Sequence, residues 1–126
     1  MSIEEGLNAH LRDHVDSVSE RVYPVTAPQH TVMPYLTYRR ISTPQDYAHD
    51  GPTGLHRPRF QIDGYGKHFT DVMDIAAEVR AALSGHVGDL DTKPVQACKI
   101  VSEHNTYEYE AEAHRVIIDV IIWYQY

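Results

Sequence analysis

Two histidines spaced four residues apart could hold a metal ion between them. His10 and His14 fall on one side of a predicted helix, so both imidazole rings could reach the same cation. The zinc protease pattern also needs a glutamate directly after the first histidine, and Leu11 stands at that position. His14 falls within an apolar stripe of the helix as well. We therefore interpret the pair as packed or boundary histidines and predict no metal site.

A second group of potential metal ligands lies in and just after a turn-rich segment, Thr43 to Leu55. The carboxylates of Asp46 and Asp50 could supply oxygen ligands. The imidazoles of His49 and His56 could supply nitrogen ligands. The spacing of these residues matches no recognised metal site. The pattern is more typical of a solvated polar loop.

A phosphate-binding loop is a superficial possibility for the run Gly64-Tyr65-Gly66-Lys67. A P-loop needs a further glycine five residues before its Gly-Lys pair, and a serine or threonine after the lysine. Gln61 and His68 occupy these two positions. The run is therefore predicted to be a turn between a strand and a helix.

The remaining reactive groups also fail to define an active site. Cys98 lies within a β-type run, where a cysteine usually serves as a small core side chain. Glu108, Glu110 and Glu112 would share one face of a strand, but no pocket pattern accompanies them. We therefore predict that this chain is not an enzyme and that it needs no cofactor.

Composition and charge narrow the class of protein. The chain has 126 residues, 42% of them hydrophobic and 23% charged, which fits a single globular domain over residues 1–126. No apolar run approaches the length of a membrane helix, and Met1 to Gly6 lack the features of a secretory signal. A net charge of −7 disfavours binding to nucleic acid through its phosphates. The single cysteine cannot form an intramolecular disulfide, which fits a reducing compartment such as the cytoplasm or a protein that needs no disulfides.

Two helices are predicted from apolar spacing. The first covers Ile3 to Glu20, with Ser2 and Glu5 forming a capping box at its start. The second begins at an N-cap, Thr70, and ends at Gly85, which suits a left-handed terminal residue. Between them, three prolines predict an extended connector that allows only short edge pairing.

Four strands complete the predicted fold. They cover Tyr35 to Ser42, Pro58 to Tyr65, Val95 to Glu103 and Arg115 to Tyr126. The segment His104 to Glu112 is predicted to be a turn with solvated strand ends. The last strand is apolar on both faces, as in a central strand that is covered on both sides or meets a partner. The expected class is α+β, a mostly antiparallel sheet of about four strands with two helices on one face.

Two surfaces are candidates for contact with other proteins. One is the polar side of the second strand, formed by Arg57, Arg59, Gln61 and Asp63. The other is the long loop before it, with candidate interface residues Asp46, Tyr47, His49, Asp50 and Leu55. This loop is too long for a simple connection and is rich in glycine and proline. Nine tyrosines add side chains that are common both in interfaces and at the edges of a small core.

Several short motifs follow one another in a characteristic order. They are Arg21-Val22-Tyr23-Pro24, Ala27-Pro28-Gln29, Pro34-Tyr35, Leu55-x-Arg57-x-Arg59-x-Gln61-Ile62-Asp63, Ala81-Ala82-Leu83 and Ile122-Trp123-Tyr124. In this order they resemble the family of small tail completion, or tail terminator, proteins of long-tailed bacteriophages and prophages. The resemblance extends over most of the chain, and it supplies no catalytic motif.

The resemblance implies a structural role in the virion. Such a protein would form a homo-oligomeric ring, typically of six subunits, at the head-proximal end of the tail. Its partners would be the tail tube protein and a head-closure or connector protein, and DNA would pass through without specific binding. Two alternatives stay open. The chain could be another neck or tail-tube component on a related scaffold, or a small metal-dependent enzyme or stand-alone binding module.

Overall fold

Two helices and seven strands make up the parts of the chain that the structure, a computed structural model, describes: residues 3–42, 55–85, 88–90 and 93–125. The helices are α1 (Ile3–His14) and α2 (Phe69–Leu83), and a 3₁₀ turn (Asp16–Val18) follows the first. The strands are β1 (Val22–Pro24), β2 (Tyr35–Ser42), β3 (Leu55–His56), β4 (Arg59–Gly66), β5 (Gly88–Leu90), β6 (Lys93–Glu108) and β7 (Ala113–Gln125).

All seven strands belong to one sheet with the order β1-β2-β4-β7-β6-β5. The pairs are antiparallel except for β1 with β2, which run parallel. β3 and β4 pair with successive parts of β7, and Pro58 between them accepts a backbone hydrogen bond from Ile122 at 3.1 Å. The α+β class is therefore confirmed. The four expected strands are the four long ones, and three short strands extend the sheet.

The core lies between the sheet and the helices. The side chains of β7 that point towards the helices are fully buried: Val116, Ile118, Val120 and Ile122. α2 packs on β4, β6 and β7, while α1 packs on α2, β1 and β5. The approach of α1 to β5 is close, because a Cβ atom at Gly6 would lie 2.5 Å from the carbonyl oxygen of Leu90. No helix among the described residues is long and apolar enough to cross a membrane.

The prediction that α1 reaches Glu20 is wrong. The helix ends at His14, and the chain turns at Ser19 and Glu20, whose φ angles of 49° and 66° are left-handed. The 3₁₀ turn is instead held to α2, because the backbone N–H of Ser17 donates to Glu78 Oε1 at 3.0 Å and its hydroxyl donates to the same carboxylate. This contact lies far away in sequence, so local spacing could not reveal it. The expected cap residue Ser2 lies outside the described residues.

The predicted N-cap of the second helix is also wrong by two residues. His68 caps α2, and Thr70 lies within its first turn. The cause is Asp71, whose carboxylate accepts a hydrogen bond from the backbone N–H of His68 at 3.1 Å. At the other end, Gly85 has a φ angle of +71°, which confirms the left-handed residue expected there.

The third long strand is longer than predicted. β6 continues through the segment that was expected to turn, and the turn is confined to residues 109–112. Pairing with β7 keeps this segment extended, as His104 lies opposite Ile117 and Tyr107 opposite His114. The polar residues that resembled a turn are the exposed side chains of an outer strand.

Candidate interaction surface

The side of the sheet opposite the helices is not covered by any helix of the described chain. We call it the open face. It carries alternate side chains of β2, β4, β6 and β7, because successive residues of a strand point to opposite sides. The register places the following residues on it: Tyr35, Thr37, Arg39, Arg59, Gln61, Asp63, Tyr65, Lys99, Ser102, His104, Glu108, Arg115, Ile117, Asp119, Ile121 and Trp123.

One ion-pair network crosses three strands of the open face. The guanidinium group of Arg115 donates to Asp63 Oδ2 at 2.8 Å and to Glu108 Oε1 at 2.9 Å. Gln61 Nε2 lies 3.1 Å from both carboxylate oxygens of Asp63. Burial opposes the charge on Arg115, but the hydrogen bonds to the two carboxylates outweigh it and raise the pKa of Arg115. Asp63, which the sequence placed on the polar side of its strand, is therefore a buried and paired carboxylate.

Aromatic rings extend this network towards β2 and β1. The guanidinium group of Arg115 lies 5.5 Å from the ring centre of Tyr65, a cation–π distance. Tyr65 stacks on Tyr35 at 4.9 Å, and Tyr35 meets the edge of Tyr23 at 6.5 Å. Burial raises the pKa values of Tyr35 and Tyr65, and the nearby Arg115 partly opposes this shift. These rings and the guanidinium group form a polar and aromatic end of the open face.

A second ion pair joins β4 to the centre of the sheet. Arg59 donates to Asp119 Oδ2 at 2.7 Å, and the hydroxyl of Ser102 lies 3.4 Å from the same oxygen. The other oxygen of Asp119 is buried and has no hydrogen-bond partner within the described residues. Charged side chains held in this way keep one geometry, so the open face presents a defined pattern of charge.

Apolar side chains occupy the middle of the open face. Ile117, Ile121 and Trp123 of β7 are half-buried there, although no helix lies over them in the described structure. The opposite side of the same strand is fully buried. The predicted central position of this strand is therefore confirmed, whereas a partner on its second side stays a prediction.

The structure brings most of the predicted polar strand residues together. Arg59, Gln61 and Asp63 point from β4 onto the open face, and Arg57 lies half-buried just before that strand. Their partners Glu108, Arg115 and Asp119 were not selected from the sequence. The available signal was the appearance of Arg115 and Asp119 within an otherwise apolar strand.

The predicted interface loop has only its last residue, Leu55, within the described ranges. Asp46, Tyr47, His49 and Asp50 lie outside the described residues. Leu55 begins β3, which pairs with the end of β7.

The histidine pair is a packing feature of α1. The rings of His10 and His14 stack with centres 4.1 Å apart. His10 Nε2 lies 2.9 Å from the carbonyl oxygen of Ala82, which ties α1 to α2. His14 is exposed, so its expected position in the apolar stripe is wrong. Within the ranges described, no three metal-ligating side chains cluster.

Cys98 is a core residue, as the sequence predicted. Its side chain is buried, and burial raises the pKa of the thiol to about 12. At neutral pH the group is therefore protonated and chemically inert.

The chain is a small α+β domain whose helices cover one side of the sheet. The other side, the open face, carries ion pairs and apolar side chains and is suited to contacts with other proteins. The same fold occurs in a solved structure described as the virion of a native gene transfer agent (GTA) particle. The match has a TM-score of 0.78 and 16% sequence identity, and it covers 98% of this chain and 94% of that chain. At this identity the likeness concerns the fold alone.

The family model of tail completion protein gp17 matches residues 5–125. The chain therefore belongs to the tail completion protein family, which confirms the resemblance found in the sequence. Membership makes it a structural component of a phage-type tail. No significant match was found among curated proteins.

Proposed function

We propose that this chain is the tail terminator of a phage or phage-like particle. Several copies, six in the expected ring, close the head-proximal end of the tail tube and provide the surface that joins the head. The observation that carries the proposal is the family match, which spans residues 5–125 and therefore almost the whole chain. The fold shared with a chain of a gene transfer agent virion supports the same assignment.

The fold suits a role that depends on shape and repeated contact. Helices lie on one side of the sheet and the open face lies on the other, so each copy offers two different surfaces. Such surfaces favour head-to-tail contacts, which form rings when the rotation between copies returns to the start. Each contact can then be weak, because closure of the ring makes the contacts cooperative.

The negative charge of the chain supports a ring through which DNA passes without being bound. Six copies of a chain with a formal charge of −7 would carry −42, which repels a phosphate backbone. We expect no shift of duplex DNA in a gel at physiological salt. Tight retention that weakens as salt is added would instead show that the ring anchors the genome.

Two sets of residues are our candidates for the contacts with the tube and the head. One is the loop with Asp46, Tyr47, His49, Asp50 and Leu55. The other is the polar strand set Arg57, Arg59, Gln61 and Asp63, whose last three members lie on the open face.

Electron microscopy of particles made with and without this protein tests the proposal. Without it, we expect filled heads and unjoined tails whose tubes have irregular lengths or uncapped ends. Purified protein added to such tails should appear as a ring at one end of the tube. Protein that instead sits on portal complexes would make the chain a head-closure component. Normal particles in its absence would refute a role in joining.

A further inference from the structure

An exposed apolar ridge runs along α2. Phe69, Met73, Ala77 and Ala81 follow one another at four-residue steps, and all four side chains are exposed. Phe69 is 50% exposed and Met73 is 38% exposed, which is high for large apolar side chains. Residues four apart are neighbours on one side of a helix. We call these four residues the α2 ridge.

The shape of the α2 ridge suits close contact with a flat surface. Ala77 and Ala81 are small, so a partner can approach the helix backbone along half of its length. Phe69 is held by an edge contact with the ring of His114 at 6.0 Å. A ridge formed by residues four apart is also the unit by which helices pack into grooves of other elements.

The open face offers a matching apolar surface on the opposite side of the molecule. Ile121 and Trp123 are neighbours on the open side of β7, and Ile117 lies beyond the ion-paired Asp119; we call these three apolar residues the β7 strip. Because the α2 ridge and the β7 strip lie on opposite sides of the sheet, one molecule cannot bring them together. Two copies can do so, each with one of the surfaces.

Charge favours the same pairing. The helical segments α1, α2 and the 3₁₀ turn carry seven carboxylates and two guanidinium groups, a net charge of −5. The open face carries the cations Arg39, Arg59, Lys99 and Arg115 and the anions Asp63, Glu108 and Asp119, a net charge of +1. Electrostatic repulsion therefore disfavours a contact between the helices of two copies. Electrostatic attraction favours a contact between the helices of one copy and the open face of the next.

The exposed charges beside the two apolar surfaces are also opposite. Asp74 is exposed on α2 next to the ridge, and Lys99 is exposed on β6 directly opposite Ile121. Neither residue forms an ion pair within the described chain. Each surface thus combines apolar side chains with a charge that has no ion-pair partner among the described residues of its own copy.

We propose that the α2 ridge of one copy packs on the β7 strip of the next copy, with Asp74 close to Lys99. The proposal rests on the proposed ring and names the surfaces that build it. The contact is head-to-tail, since the two surfaces differ and each copy carries both. A chain of such contacts ends only when the ring closes.

A bulky charge on the ridge tests the contact. Ala77→Arg places a long side chain in the middle of the α2 ridge, and arginine is a good helix former, so folding should be unaffected. The matched control is Ala9→Arg, since Ala9 is an exposed alanine of α1 that does not belong to the ridge. Sedimentation velocity and native mass spectrometry should show the ring-sized species of the wild type and of the control. In Ala77→Arg we expect association to weaken about tenfold or more.

A charge exchange tests the direction of the contact. Asp74→Lys and Lys99→Asp should each weaken association, because each places like charges opposite one another. The double variant should regain most of the wild-type association. Glu112→Lys, in the exposed turn after β6, makes the same charge change at a residue that belongs to neither surface, and it should have a smaller effect than Asp74→Lys.

The outcomes separate this inference from the proposed function. A ring that tolerates Ala77→Arg, or a charge exchange without recovery, would overturn the contact while leaving the ring intact. A species that stops at a dimer would overturn the head-to-tail arrangement. A chain that stays monomeric up to millimolar concentration, and that also fails to sediment with tail tubes, would overturn both proposals.

Discussion

Replacing Arg115 by methionine should destabilise the fold mainly because it leaves one buried carboxylate without its charged partner. The variant leaves the carboxylate of Asp63, whose side chain is 8% exposed, without its guanidinium partner. Breaking a fully buried pair costs about 3–5 kcal/mol, whereas an exposed pair contributes about 0–1 kcal/mol. The side chain of Arg115 is 22% exposed, and Gln61 still donates to Asp63, so a value between these limits applies. We expect a loss of about 2 kcal/mol in the free energy of unfolding.

Urea denaturation followed by circular dichroism measures this loss. A decrease of about 2 kcal/mol corresponds to a fall in melting temperature of about 8 °C for a domain of this size. Arg80→Met is the matched control, because Arg80 is 43% exposed and its partner Glu103 is 25% exposed. That pair lies on the helix side of the molecule, and its loss should cost less than about 1 kcal/mol.

A double-mutant cycle isolates the ion pair from other effects of the substitution. Asp63→Asn in the Arg115→Met background removes the unpaired charge, so the double variant should be more stable than the sum of the single losses predicts. A loss below about 0.5 kcal/mol in Arg115→Met, or strict additivity in the cycle, would refute our account. Either result would mean that water solvates Asp63 in place of the guanidinium group.

Three further predictions concern other parts of the molecule. Gly6→Ala should lower the melting temperature, because the new Cβ would lie 2.5 Å from the Leu90 carbonyl oxygen. This clash should outweigh the helix propensity of alanine, which is about 1 kcal/mol more favourable than that of glycine. A higher melting temperature would contradict the close packing of α1 on β5. Cys98 should resist thiol reagents at pH 8 in the native state and react fully in urea, since burial raises its pKa to about 12; rapid native labelling would contradict its burial. Replacing Asp46 to Gly54 by a short Gly-Ser turn should leave the melting temperature nearly unchanged and yet prevent heads from joining tails; a normal yield of infectious particles would move the joining surface to the polar strand residues.

Local patterns in the sequence were sufficient to predict the elements that do not depend on contacts with distant residues. The strand Tyr35–Ser42 occurs with the predicted bounds, because a proline precedes it and β-branched and aromatic residues fill it. The apolar alternation of β7 predicted a central strand, and the sheet order confirms it. The family resemblance also came from the order of short motifs, which is a property of the sequence alone.

The ends of several elements depended on contacts between residues far apart in sequence. α1 ends six residues early because the chain turns through two left-handed residues and is held there by Glu78, which is 61 residues from Ser17. β6 extends five residues beyond its predicted end because β7 pairs with it throughout. Local propensity favoured a longer α1 and a shorter β6, and hydrogen bonds between distant residues outweighed it in both cases.

Tertiary structure alone decided which side chains pair with one another on the open face. The alternation of β4 predicted that Arg59, Gln61 and Asp63 share a side, since strand geometry requires it. Their charge partners come from β7, with Arg115 52 residues from Asp63 and Asp119 60 residues from Arg59. Strand order and register set which side chains meet across such distances, and these are properties of the whole sheet. The sequence therefore determined which residues face one way, and the fold determined which of them are paired, buried or left available to another copy.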